Sequence, residues 1–149
     1  MTKRFSLFFL LATFFVGMSF SSFAQNKGTL SIKAYNIRSN AGVVRFAVYN
    51  KKENFTHPTR FYIDGAMNIK NKVAQVISNL PAGKYAVALL HDENNSGGMD
   101  YFLKAPTEGY GFSNVKKFIF SSPSYEECLI TIQPNQTTNV EIPMYYLSW

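Results

Sequence analysis

Apolar and polar residues alternate with a period of two along most of this chain, the pattern of strands with one buried face. In TLSIKAY, residues 29–35, Leu30, Ile32 and Ala34 oppose Thr29, Ser31 and Lys33. In VVRFAVY, residues 43–49, Val44, Phe46 and Val48 form the apolar set. RSNAG between them reads as a turn, with Gly42 free to take positive φ. KVAQVIS and KYAVALL read as a second strand pair joined by NLPAG, where Pro81 sets φ and Gly83 supplies the corner. CLITI and NVEIPMYY follow, divided by QPNQTT. Pro143 places the last run at a sheet edge or a bulge, because proline cannot donate to the ladder. No convincing helical period, internal repeat or linker interrupts this series. The pattern predicts an all-β fold, a single antiparallel β-sandwich with one long Gly-rich loop.

The first 24 residues have a different character. Lys3 and Arg4 precede an apolar run, Leu7 to Met18, too short to span a bilayer, and Ser22-Phe23-Ala24 places small residues where a signal peptidase cuts. The reading is a secretory signal peptide over 1–24 and one β-sandwich domain over 25–149, exported to the periplasm or secreted. No Cys stands at the cleavage point and no second apolar run is long enough to span, so neither a lipoprotein nor a transmembrane anchor is expected. Two of the 15 Lys and Arg fall in the leader, leaving 13 against 9 acids. That excess is mild and spread in isolated pairs such as Lys51-Lys52 and Lys116-Lys117, which does not describe a nucleic-acid surface. Cys128 is the only cysteine, so no intrachain disulfide can form, and its apolar context marks it as a small core residue.

The candidate chemistry lies in the segment from Asp92 to about Asn114, which holds four of the nine glycines. Loops of that length inside compact domains are usually functional when ordered. Asp92, Glu93, Asp100 and Glu108 crowd it with acids opposed locally by Lys104 alone. In HDENNSGGMD, Asp92, Asn94 and Ser96 stand at positions 1, 3 and 5 of a calcium-type loop. Gly97 stands at the sharp turn, Gly98 offers a carbonyl, and Asp100 falls at position 9. These are hard oxygen donors, suited to Ca²⁺ rather than Zn²⁺. Position 12 is Leu103 and the preceding segment is a strand, so an EF-hand is excluded. The alternative is an Asx-rich turn closed by its own backbone.

Taken together, LPAGKYAVALLHDENNSGGMD, PTEGYGFSN and FSSPSYEEC resemble the exported bacterial family called domain of unknown function 2141. The resemblance runs from about Gly28 to Tyr146 and departs at Ser96 and Gly98, where the family typically carries Asn and Lys. It implies export and an immunoglobulin-like or transthyretin-like sandwich, and it implies no activity. Glu93, Glu108, His91, Tyr110 and Asn114 are candidate further site residues around the acidic loop.

Two function classes follow. One is a binding or structural module with a structural Ca²⁺, meeting an unknown protein or carbohydrate ligand, with Tyr110 and Phe112 either plugging the sandwich or offering a contact face. The other is a hydrolase-type enzyme using His91 and Glu108. No catalytic residue is assigned, because no nucleophile motif accompanies them. His57, before Pro58, reads as a loop residue.

Overall fold

The structure is a computed structural model describing residues 26–118 and 121–147, so the proposed leader lies outside the described residues. The long strands are β1 (Lys27–Tyr35), β2 (Val43–Tyr49), β3 (Ile63–Lys70), β4 (Val73–Pro81) and β5 (Gly83–Asp92). The two-residue strands β6 (Tyr101–Phe102) and β7 (Ala105–Pro106) follow, then β8 (Gly109–Phe112), β9 (Leu129–Ile132) and β10 (Thr137–Pro143). The all-β expectation holds. Neighbours run β10-β1-β4-β3-β2-β5-β8, with β9 also on β5, and β6-β7 forms a separate ribbon. All pairs are antiparallel except β1 with β10.

The connections differ from those expected. β1 pairs with β4 and β10, and β2 pairs with β3 and β5, so RSNAG does not close a hairpin. NLPAG likewise leads from β4 to β5 without pairing them, and QPNQTT leads from β9 on β5 to β10 on β1. Each apparent hairpin carries the chain from one set of strands to another. Both sets contribute to one apolar cluster, with Leu30, Ile32, Val140 and Ile142 from one and Val44, Val48, Val87 and Leu89 from the other. A crossing connection and a hairpin look alike in sequence, since both need a turn between two alternating runs. The long hairpin that does form, β3–β4, turns on Asn71 and Lys72, both at positive φ, as a two-residue turn of the primed type requires. β3 was missed in the sequence because its burial is shallow: only Met67 is fully enclosed.

β5 is the central element. It is paired by β2 along Val43–Tyr49 on one side, and by β8 and then β9 on the other. Tyr85, Val87 and Leu89 enter the main core, while Ala86 and Ala88 meet a satellite cluster with Tyr110, Phe112, Val115 and Cys128. A strand buried on both faces accounts for the nearly continuous apolar run in KYAVALL. Cys128 lies within that cluster, and burial pushes its thiol up to about 12, so it is an inert core residue. Pro143 ends β10, an edge strand, as expected.

These faces make a direct test. Ile32→Ala, at a fully buried position, should cost about 2–5 kcal/mol in urea unfolding. Ile77→Ala, 64% exposed on β4, should change stability by less than about 0.5 kcal/mol.

Candidate functional site

β5 ends by carrying His91 and Asp92, both fully buried, to the edge of the core. A buried carboxylate needs several donors to remain charged. Asp92 Oδ2 accepts from Arg45 Nε at 2.5 Å and from the Gly97 N–H at 3.1 Å, and its Oδ1 accepts from the Ser96 N–H at 2.9 Å. Burial raises the Asp92 carboxyl, but Arg45 and the two N–H groups outweigh it and hold the group below the usual carboxylate range. Arg45 reaches Asp92 because β2 and β5 align Val43 with Asp92, placing Arg45 on the diagonal of that pair.

Glu93 is held by a second arginine from β1–β2, the connection after Tyr35. Arg38 Nε lies 2.9 Å from Glu93 Oε2, its second nitrogen also meets that oxygen, and Ser39 Oγ donates to Oε1 at 2.8 Å. Arg38, then Ser39, depress the Glu93 carboxyl against a smaller opposing effect of burial. Arg38 also donates to the Thr107 carbonyl at 2.9 Å and lies 4.7 Å from the centre of the Tyr146 ring.

Glu108 closes the loop. Only 4% exposed, it accepts the Glu93 N–H at 3.0 Å on Oε1 and the Asp100 N–H at 3.2 Å on Oε2. The Thr107 N–H and hydroxyl both donate to the Asp100 carbonyl, at 2.9 and 3.2 Å. Segment 108–113 is buried and folds back against the loop, with β8 paired to β5. The expected irregular stretch therefore contains a strand and a short ribbon. Gly109 permits this approach: a Cβ there would sit 2.2 Å from the Tyr146 ring. Gly42, at φ +64, is equally confined, since a Cβ would meet the Asp92 carbonyl oxygen at 1.9 Å.

The five expected calcium ligands lie in one hydrogen-bonded group. Asn94 Oδ1 accepts the same Ser96 N–H as Asp92, at 2.9 Å, and Asn94 Nδ2 donates to Asp100 Oδ2 at 2.6 Å. Ser96 Oγ donates to the Gly98 carbonyl at 3.1 Å, and Gly97 turns at φ +96. Among the described residues, no three His, Cys, Asp or Glu side chains converge as a metal-binding group. The crowding of acids has an answer invisible in the local sequence: Arg38 and Arg45 pair with Glu93 and Asp92. Asp100 and Glu108 are in no ion pair among the described residues.

The match to known families covers residues 32–140 and falls on a family described as uncharacterized protein conserved in bacteria, DUF2141. The chain belongs to this family. No curated protein matches the DUF2141 chain. Among solved structures, a leucine-rich repeat protein from Bacteroides thetaiotaomicron VPI-5482 is similar at 18% identity with a TM-score of 0.37. That similarity covers 80% of this chain and 14% of that protein.

The remaining candidates of the DUF2141 domain have settled partners. His91 Nε2 lies 2.9 Å from the Ala41 carbonyl and Nδ1 lies 2.8 Å from the Tyr146 hydroxyl. A carbonyl can only accept, so Nε2 carries the proton and Nδ1 accepts from Tyr146. The Tyr146 oxygen in turn accepts the Arg38 N–H at 3.2 Å, and burial pushes its hydroxyl up to about 12. His91 thus bonds the 36–42 connection and the C-terminal segment. Tyr110 and Phe112 are core residues of the satellite cluster, and Asn114 is exposed with its amide on the Leu129 carbonyl at 2.6 Å. Arg38, Arg45 and Tyr146 were missed in the sequence, and the only signal for Arg45 was strand register.

Removing Arg45 tests this electrostatic account. Arg45 is 39% exposed, so Arg45→Met should cost about 2–3 kcal/mol rather than the larger penalty of a sealed pair. Asp92 and Glu93 have depressed folded-state values, so their contribution is present above the unfolded carboxylate range, about pH 4, and lost as pH falls through the folded values. Wild-type stability should fall as the pH drops below about 4, and Arg45→Met should show a shallower loss in melts across that range.

Proposed function

We propose that this DUF2141 chain is an exported, non-catalytic binding or structural module whose 92–108 loop is a braced platform. The observation that carries this reading is that the two groups an enzyme would need free are both engaged. His91 has a partner at each ring nitrogen, and Glu108 has one at each oxygen. Two clefts of the described surface lie away from His91 and Glu108, lined by residues such as Lys116, Ser124 and Glu127, or Thr131, Thr138 and Glu141. Export rests on the charge, apolar run and small-residue site of the leader.

Stability separates the two classes. Catalytic side chains are commonly held at a cost, so replacing them tends to leave a fold unchanged or stabilise it. Glu108→Gln should instead lower stability by about 1–3 kcal/mol, because an amide cannot accept both backbone N–H groups as a carboxylate does. A Glu108→Gln protein that melts at or above the wild-type temperature overturns the structural role and favours the hydrolase.

A Ca²⁺ held by the loop is the finer part of the proposal. It is supported by the gathering of Asp92, Asn94, Ser96, Gly98 and Asp100 and by Asp100 being in no ion pair among the described residues. Because Arg45 already neutralises Asp92, the ion would rest mainly on Asp100 and neutral oxygens. That composition suits the weak range of extracellular modules, on the order of 10⁻⁴–10⁻³ M. Excess calcium should raise the melting temperature by a few degrees over chelator, roughly RT ln(1 + [L]/Kd) in stability, and Asp100→Asn should remove the shift. Superimposed curves would leave an Asx-rich turn and retain the module reading.

A further inference from the structure

The β6–β7 ribbon presents Tyr101, Phe102 and Leu103, 65%, 59% and 85% exposed, as three consecutive apolar side chains, followed by exposed Lys104. The two turn residues, Leu103 at φ 47 and Lys104 at φ 70, occupy the left-handed region that such turns normally fill with Asn or Gly. The chain thus puts a large apolar residue in an unfavourable backbone position at the turn of the ribbon, where it is 85% exposed. The base beneath it is firm: Asp100 and Thr107 are bonded across it, and Glu108 ties it to Glu93. A strained apolar tip on a fixed base is pre-organised for contact.

We propose that this tip inserts into an anionic lipid surface, an inference that rests on the module reading and names its partner. The tip is a convex wedge rather than a groove. Its exposed apolar area, on the order of 400 Å² from typical side-chain sizes, is about half of what one protein contributes to a stable interface. A bilayer interface accepts such a wedge, with the Tyr101 hydroxyl among headgroups and Lys104 extended toward phosphates. The charge at this end is also suitable. Exposed Lys70 and Lys72 flank the β3–β4 turn, and the Lys72 N–H bonds Asn40 in the same connection that supplies Arg38 to Glu93. Of the nearby acids, arginines neutralise Asp92 and Glu93, while Glu108 and Asp100 are hydrogen-bonded to neutral groups, two backbone N–H groups and the Asn94 amide, and are outnumbered by Lys70, Lys72 and Lys104. The lysines are in no ion pair among the described residues, leaving cations to face an anionic membrane.

The test is co-sedimentation of the protein with vesicles of phosphatidylglycerol and phosphatidylcholine in equal parts, and with phosphatidylcholine alone. Wild type should sediment with the anionic vesicles and much less with the neutral ones. Leu103→Asp should lose roughly tenfold or more in partition. Asp tolerates the left-handed region, so this variant should melt no lower than wild type. Ile77→Asp, exposed on β4, should sediment like wild type. A Leu103→Trp variant should shift its emission to the blue on anionic vesicles. Wild type that stays in solution with both vesicle types, or Leu103→Asp that sediments equally, overturns the lipid assignment. Either result leaves the module reading, which is tested by the stability of Glu108→Gln, intact.

Discussion

A strand buried on both faces has to end somewhere, and its last polar groups have no water to turn to. β5 meets that constraint at His91 and Asp92. The solution recruits four separate parts of the chain: the 36–42 connection, β2, the long loop and the C-terminal segment. Among the described residues no buried side-chain nitrogen or oxygen lacks a partner, and around β5 this required Ala41, Arg45, Ser96, Gly97 and Tyr146 together. The loop is therefore shaped by the need to satisfy a buried carboxylate as much as by any ligand.

This ordering bears on how acidic loops are interpreted. Clustered carboxylates in a glycine-rich segment imply that some cation must relieve their repulsion, but the cation can be the protein's own. Arg38 and Arg45 reach Glu93 and Asp92 from 55 and 47 residues away. Their contribution also divides the loop. The Asp92–Glu93 end is neutralised by arginines, while the Asp100 side and the ribbon beyond it are held by hydrogen bonds with Asn94, Thr107 and Glu108. Any ion or surface that the module meets would act on that second part.

The topology shows a related ambiguity. Turns rich in Pro, Gly and Asn after alternating runs were read as chain reversals, and those at RSNAG, NLPAG and QPNQTT are crossings between strand sets. Turn chemistry reports that the chain reverses; it does not report which strand it then joins. β10 could not be placed beside β1 in parallel from its sequence, because the pairing spans 108 residues between Ile32 and Val140 and leaves no local trace.

The sequence by itself determined the all-β class, the faces of β1 and β2, an edge or bulge at Pro143 and the family to which the chain belongs. These follow from side-chain periodicity, proline's missing donor and short motifs, all of which are local. Tertiary structure alone decided that β5 is central, that each ring nitrogen of His91 and each carboxylate oxygen of Glu108 has a partner, and that Arg38, Arg45 and Tyr146 complete the network. The physical reason is register: a carboxylate's partner is the residue that strand pairing places within about 3 Å of it, and that choice depends on neighbours the linear sequence does not order.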